Sequence, residues 1–321
     1  MPVVATHNGA FHADEVSAVA ILKRAIPNVS VVRSRKPEII QEADIVVDVG
    51  QLYDPEKDLF DYHQESCAER WNNDDKDSIP LSSVGMVYKK YGREFLRSFV
   101  EMTDDQLDKL YESFYYNYVR EVDAWDNGVS PMNFDKNSKE RPKFRMCTNV
   151  SSMVAMMNGQ DPGDDVMQGL LFSRAVEYCA NVMEIIVKVQ ASRIVTYEAD
   201  YKAVTEAYES KKHTGLLVFD KPITNLFKAI NDFESERKIV GEIKMVVYPS
   251  SGEWRVRNIS DSGFAGRAYI PKNIRSMVSQ NADIIFVHKN LFLASCKTKE
   301  CAEEVGRVTL THDNKPEEPS D

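Results

Sequence analysis

Short β-branched runs alternate with helical stretches over the first part of the chain, and this alternation limits the fold more than any other feature. Val3–Ala5 reads as a strand, Glu15–Ala25 as a helix, Val29–Arg33 as a strand and Lys36–Glu42 as a short helix. Ala43–Gly50 then reads as a buried strand ending in an acid and a glycine, and Leu59–Gln64 as one more short strand. Strands interleaved with helices predict a mostly parallel sheet flanked by helices, because parallel neighbours need a crossover between them. In such sheets, sites gather at the carboxyl ends of the strands.

Glu65–Pro80 is polar and aperiodic, a loop. Ser82–Val100 is a helix, and Thr103 with Gln106 has the capping-box spacing that opens another, running to about Asp126 before Asn127-Gly128 stops it. Ser130–Arg145 mixes Pro131 and Pro142 with the basic residues Lys136, Lys139, Arg141, Lys143 and Arg145. A surface loop is the preferred reading there, with a nucleic-acid contact as the alternative. The turn-rich Asn158–Gly163 marks a boundary, so the expected organisation is a domain over 1–160, a helical connector over 161–212, a smaller α/β domain over 213–311 and a disordered acidic tail over 312–321. In the smaller domain the expected strands are Gly215–Phe219, Val240–Tyr248, Glu253–Asn258, Ile284–His288 and Leu291–Ala294. Helices are expected over Thr224–Glu234, Pro271–Ser279 and Lys299–Val308.

With 43% hydrophobic and 28% charged residues, the composition is that of a soluble globular protein, and no apolar run is long enough to span a membrane. A formal charge of −10 argues against a broad basic face for nucleic acid, yet leaves room for a nuclease, whose metal site is itself acidic. The five cysteines are scattered without a C-x-x-C pair, so neither a disulfide framework nor a structural zinc site is expected. Strand-like sequence from Val3 leaves no room for a leader, and a cytoplasmic or nuclear protein is the expectation.

No P-loop, dinucleotide-binding glycine motif or nucleophile elbow is present. What stands out is Asp and His at expected strand ends: His7, His12 and Asp14; Asp48; Asp61 and His63; and Asp123 late in a helix. Each alone has an ordinary explanation as a cap or loop residue. Together they outline a mixed imidazole–carboxylate set, which suits Mn²⁺ or Mg²⁺ better than structural zinc.

Thr6–Glu15, Asp44–Gly50, Phe60–Gln64, Leu81–Gly85 and Glu121–Gly128, followed by Ile284–His288 and Thr298-Lys299, resemble the melanocyte-proliferating-gene exonuclease family of the DHH phosphoesterase superfamily. The likeness runs in order from residue 3 to about 310. The resemblance implies a two-domain α/β protein and a two-metal, usually manganese, 3′–5′ exoribonuclease acting on single-stranded RNA ends. By motif position it implies His7, His12 and Asp48 at one metal and Asp14, Asp48 and Asp123 at the other, with Asp61 and His63 in the catalytic motif. Arg33 and Arg35 precede Asp48 and read equally as phosphate contacts or a solvated strand edge; Lys143 and Arg145 are further candidates for RNA.

Four departures from the family pattern stand out. Its Asp-His-His is here Asp61-Tyr62-His63; its glycine-glycine turn is Ala294-Ser295; the polar residue after that turn is Cys296; and methionines fill an arginine-bearing segment at Ser152–Met157. Tyrosine, neutral at pH 7 with a reference pKa of about 10, is a poor replacement for an imidazole ligand. A metal-dependent phosphodiesterase with weakened activity is therefore the expectation. A catalytically inactive RNA- or ribonucleoprotein-binding factor and a small-molecule phosphoesterase are the alternatives.

Overall fold

The computed structural model describes residues 1–65, 67–72, 78–129, 146–161, 163–210, 214–262, 265–276 and 283–312. They fall into two compact units, Met1–Ile194 and Val195–Asp321.

In the first unit β1 (Val3–Thr6) leads into α1 (Ala13–Ala25), and β2 (Ser30–Arg33), α2 (Pro37–Gln41), β3 (Ile45–Val47), β4 (Tyr53–Asp54) and β5 (Leu59–Phe60) follow. The sheet order is β2-β1-β3-β5-β4. All neighbours are parallel except the β4–β5 pair, so the sheet is the mostly parallel one that the alternation predicts. Two strands stop earlier than their apolar runs suggest. β3 ends at Val47 because Asp48 turns into the left-handed region at φ 55°, and Gly50 follows at φ 97°. β5 ends at Phe60, after which the Asp61 carboxylate accepts from the backbone N–H of both Gln51 and His63.

Next come α3 (Ser83–Arg97), α4 (Asp104–Phe114), a π-helical turn at Tyr115–Val119, α5 (Arg120–Asp126), α6 (Val150–Met157) and α7 (Asp165–Glu209). The expected capping box is made, with Thr103 accepting from Gln106 N and Gln106 accepting from Thr103 N. α1 packs on α3, and Val16, Val19, Ile21 and Leu22 are fully buried with Val84, Val87 and Phe95 in one apolar core. That core fixes the start of α1, and with it the turn from His7 to His12.

In the second unit are β6 (Leu216–Val218), α8 (Leu226–Arg237), β7 (Met245–Ser250), β8 (Glu253–Asn258), the small β9 (Ser260–Ser262) and β10 (Ala265–Gly266) pair, α9 (Lys272–Ser276), β11 (Ile284–Val287), β12 (Leu293–Cys296) and α10 (Lys299–Thr311). The larger sheet runs β11-β12-β8-β7-β6 with only β6 and β7 parallel. One apolar core lies on the face carrying Val247, Val256, Ala294 and Cys296, and another joins Leu217 and Val246 to α8.

Two elements differ from their sequence reading. The strand expected from Val240 begins at Met245, because the buried Glu234 carboxylate accepts from Gly241 N and Ile243 N and holds that stretch as a turn. The last strand is shifted to Leu293–Cys296, because Leu291 turns at φ 60°. Ala294, Ser295 and Cys296 are therefore strand residues, not a turn that brings backbone up to a phosphate. Ala294 and Cys296 are packed into the apolar core.

Candidate metal centre

β1, β3 and β5 end side by side and parallel, so the residues after them share one rim of the first unit's sheet. There the structure gathers His7, His12, Asp14, Asp48, Asp61 and His63, as their strand-end positions predict. Three overlapping groups have ligand atoms within 4.8 Å of one another: His7, His12, Glu15 and Asp48; His12, Asp14 and Asp126; and Asp48, Asp61 and His63. Asp48 joins the first and third, His12 the first and second. Asp48 is held at positive φ between these groups, a strained backbone for a non-glycine residue, of the kind that concentrates at functional sites.

His12 is the N-cap of α1. Its backbone N–H donates to both oxygens of Glu15 at 2.9 and 3.0 Å. His7 is buried, with Nε2 3.0 Å from Glu15 Oε1 and 3.3 Å from Asp48 Oδ2. Burial pulls its pKa down, but the Asp48 and Glu15 carboxylates overcome this and lift it to about 10. The proton on Nε2 thus occupies the place a cation would take. Burial also raises Asp48, with Glu15 adding to the effect.

Asp14 decides whether a cation fits. It is 1% exposed, and neither carboxylate oxygen accepts from an N–H or a hydroxyl; what lies beside it is the Glu15 carboxylate, with which it can only share a proton. Burial first, and then the carboxylates of Asp48, Glu15 and Asp126, push its pKa well above the usual carboxylate range. A buried carboxylate with nothing to accept from, beside further acids and two imidazoles, is an expensive arrangement that a divalent cation would relieve. Oxygen and imidazole donors of this kind suit Mn²⁺ or Mg²⁺.

Asp123 is held through one oxygen, while its Oδ2 is buried without a hydrogen-bond partner. It is fully buried and its Oδ1 accepts from Ser82 N at 2.9 Å, Ser82 Oγ at 2.8 Å and Gly85 N at 3.2 Å, which ties it to the start of α3. Burial pushes its pKa up to about 8 against these hydrogen bonds. A Cβ at Gly85 would sit 2.5 Å from Asp123 Oδ2, so the glycine is what lets the carboxylate approach. Among the described residues Asp123 joins none of the three groups. One helical turn further, Asp126 does. Glu15 and Asp126 are the acids that sequence reading passed over. The signals were present: Glu15 stands at the capping-box distance from His12, and Asp126 lies three residues after Asp123 on the same helix face.

Tyr62 faces the centre. It lines a cavity of about 330 Å³ with Asp14, Asp48, His63 and Asp126, and its hydroxyl donates to Asp126 Oδ2. Burial and that hydrogen bond raise its pKa, so the phenol stays neutral. His63 Nδ1 lies 2.7 Å from Asp61 Oδ1 and 3.6 Å from Asp48 Oδ1.

Arg33 is not a free phosphate contact. Its Nε donates to His7 O at 3.2 Å and its Nη2 to Gly9 O at 2.7 Å, and its guanidinium lies over Phe172 at 4.6 Å. It braces the His7–Gly9 turn, which Asn158 also clamps by a reciprocal pair of 2.8 Å bonds with Phe11 N and O. Arg35 is exposed and lines a larger cavity, about 750 Å³, together with Asp48, Asp61 and His63. Lys143 and Arg145, with Lys136, Lys139 and Arg141, lie outside the described residues. No described helix is long and apolar enough to cross a membrane.

Residues 3–310 match the family described as MYG1_exonuc, an uncharacterised protein family (UPF0160). The chain is 30% identical to the MYG1 protein of Saccharomyces cerevisiae, over 96% of its own length and 95% of the relative's. It is 29% identical to the MYG1 exonuclease of Mus musculus, over 96% of its own length and 85% of the relative's. Among solved structures, an exonuclease RecJ bound to manganese aligns at 13% identity over 98% of this chain and 91% of that one, with a TM-score of 0.26. So loose an alignment fixes no fold; the α/β architecture rests on the strand order given above.

Proposed function

The chain belongs to the MYG1_exonuc family, and from that premise and the metal centre's geometry we propose that it is a divalent-metal-dependent phosphodiesterase acting on single-stranded RNA from the 3′ end. The observation that carries this reading is Asp14, a buried carboxylate that accepts from no N–H or hydroxyl and lies among acids and imidazoles at three parallel strand ends. His7, His12, Glu15 and Asp48 would hold one cation, Mn²⁺ or Mg²⁺; Asp14 and Asp126, sharing His12, would hold a second. Bound there, such cations supply an activated water and neutralise charge on the leaving oxygen of a phosphodiester. Asp61 fixes the imidazole of His63 through Nδ1, which leaves Nε2 to hold or deliver a proton at the leaving oxygen.

Tyr62 supports the further reading that activity is weakened. In the Asp61-Tyr62-His63 motif it offers a neutral phenol, and its hydroxyl holds Asp126 by hydrogen bond. The same observation favours the second reading, a non-catalytic RNA-binding factor. End-labelled single-stranded RNA incubated with Mn²⁺ separates them. We expect the wild-type chain to shorten RNA slowly from the 3′ end and Tyr62→His to do so faster. Equal rates refute the weakening. No cleavage by either protein leaves the binding factor, and cleavage only of small phosphoesters replaces RNA as the substrate.

A further inference from the structure

The cavity beside Asp14 and Asp126 has one wall that the metal centre does not use. On α5 the buried Val122 is followed at i+3 and i+4 by Trp125 and Asp126, so the three share a helix face, and all line this cavity of about 330 Å³. The Asp126 carboxylate groups with His12 and Asp14, which sets the indole beside the place of the second cation. Trp125 is 45% exposed. Among the described residues no ring stacks on it, no cation lies over it and no acceptor meets its indole N–H.

The other two tryptophans of the chain are engaged. Trp71 stacks on Tyr115 at 4.0 Å between centroids and donates to Glu112 Oε2 at 3.0 Å, and Lys299 Nζ lies 5.7 Å from the Trp254 ring centroid. Within the cavity, Tyr62 and His63 lie ring against ring at 4.4 Å between centroids, and Tyr62 also donates to Asp126. Trp125 therefore keeps a large apolar face in water next to an acidic centre, a costly arrangement that a flat ring would relieve. Stacking on an aromatic side chain accepts any base, because every base has a π-face. A phosphate drawn to a cation at Asp14 and Asp126 brings its nucleoside to the cavity that Trp125 walls. That cavity is at the small end of ligand sites, about 300–1,000 Å³, which suits one unpaired nucleotide and not a duplex.

We propose that Trp125 is the platform on which the base of the terminal nucleotide stacks while its phosphate lies at the metal centre. It favours purines, whose wider ring covers more of the indole. This rests on the reading of the chain as a phosphodiesterase acting at RNA 3′ ends, and it names the group that holds the terminal base.

The test is calorimetric titration of the full chain in Mn²⁺ with two probes. Adenosine 5′-monophosphate is the kind of product such an enzyme releases, and ribose 5-phosphate has the same phosphate and sugar without the base. Stacking one base on an aromatic ring changes affinity roughly five- to 150-fold, so the nucleotide should bind the wild-type chain at least about fivefold more tightly than the sugar phosphate. Trp125→Ala should bring the two Kd values together by weakening the nucleotide alone. Trp125→Phe, which keeps an aromatic face, should retain most of the preference. A tryptophan with a merely structural role would weaken both probes alike in Trp125→Ala, and that result overturns the proposal. Equal affinity of the wild type for the two probes, no binding of the nucleotide, or an undiminished preference in Trp125→Ala overturns it as well. Uridine 5′-monophosphate should bind between the two, and equality with the adenosine compound removes the purine preference. Mn²⁺-dependent cleavage of end-labelled RNA by the same preparations keeps the readings apart. Cleavage without a base preference sinks the platform alone, whereas a base preference that is lost in Trp125→Ala, without cleavage, sinks the phosphodiesterase reading alone.

Discussion

Replacing Asp14 by Asn should make the metal-free protein more stable and the metal-loaded protein less stable than wild type. Asp14 is 1% exposed, and neither of its oxygens accepts from an N–H or a hydroxyl. Its raised pKa means that the folded state holds the proton more tightly than the unfolded chain does. The sign follows: stability is lost as pH climbs from the unfolded carboxylate value toward the raised folded one, so at neutral pH the wild type carries a cost. The amide is nearly isosteric, uncharged, and able to donate to the surrounding acids. Relief of one buried unpaired polar group is on the order of 1–3 kcal/mol, or about 3–9 °C in Tm for a unit of this size. With Mn²⁺ at a hundred times its Kd the wild type gains about 2.7 kcal/mol, which the Asp14→Asn variant should largely forgo. Scanning calorimetry at about pH 7.5, in EDTA and then in Mn²⁺, should therefore show the two proteins exchange order. A variant less stable than wild type in EDTA, or one with an undiminished Mn²⁺ shift, would refute the reasoning.

The remaining expectations concern His7, Gly85 and Arg33. His7 titrates near 10, so a cation reaching its Nε2 must displace a proton, and Mn²⁺ affinity measured by calorimetry should rise up to about tenfold per pH unit between about pH 6 and 8. Without metal, the His7 ion pairs contribute fully below about pH 6.5, the reference value, and their contribution is lost as pH rises toward 10. Gly85→Ala puts a Cβ 2.5 Å from Asp123 Oδ2 and 2.8 Å from Leu81 Cδ2; urea unfolding should show a loss of about 1–3 kcal/mol. Arg33→Ala removes two charge-assisted bonds to the His7–Gly9 turn and should cost about 1.5–3 kcal/mol. It should also leave the salt slope of RNA binding unchanged, the reverse of what a phosphate contact would give.

The rim of the first sheet was legible because its period is local: apolar runs ending in Asp or His place those residues on one edge once the sheet is parallel. Asp48, Asp61 and the pair His7 and His12 were found this way. What sequence could not give is which of two acids on one helix face lies within reach of His12 and Asp14. Asp123 and Asp126 differ by a single turn, and the choice falls to tertiary packing: Ser82 and Gly85 at the start of α3 claim Asp123, while Tyr62 meets Asp126. Arg33 read equally as a phosphate contact or a solvated strand edge, and neither reading foresaw that it donates to His7 O and Gly9 O. Strand ends in the second unit shifted because Leu291 turns at positive φ and the Glu234 carboxylate holds Gly241 and Ile243 in a turn, neither of which the local sequence signals. Alternation along β12 then decides that Ala294 and Cys296 are core residues.

Equilibrium dialysis of the purified chain against Mn²⁺, with the metal counted per chain, tests the centre most directly. Asp48 belongs to two of the three ligand groups, so Asp48→Asn should abolish the tightest site, while the wild-type chain should bind Mn²⁺ with one tight site and a weaker second beside Tyr62. Wild-type protein that takes up no Mn²⁺, or an Asp48→Asn variant that binds it as wild type does, would contradict the metal centre described here.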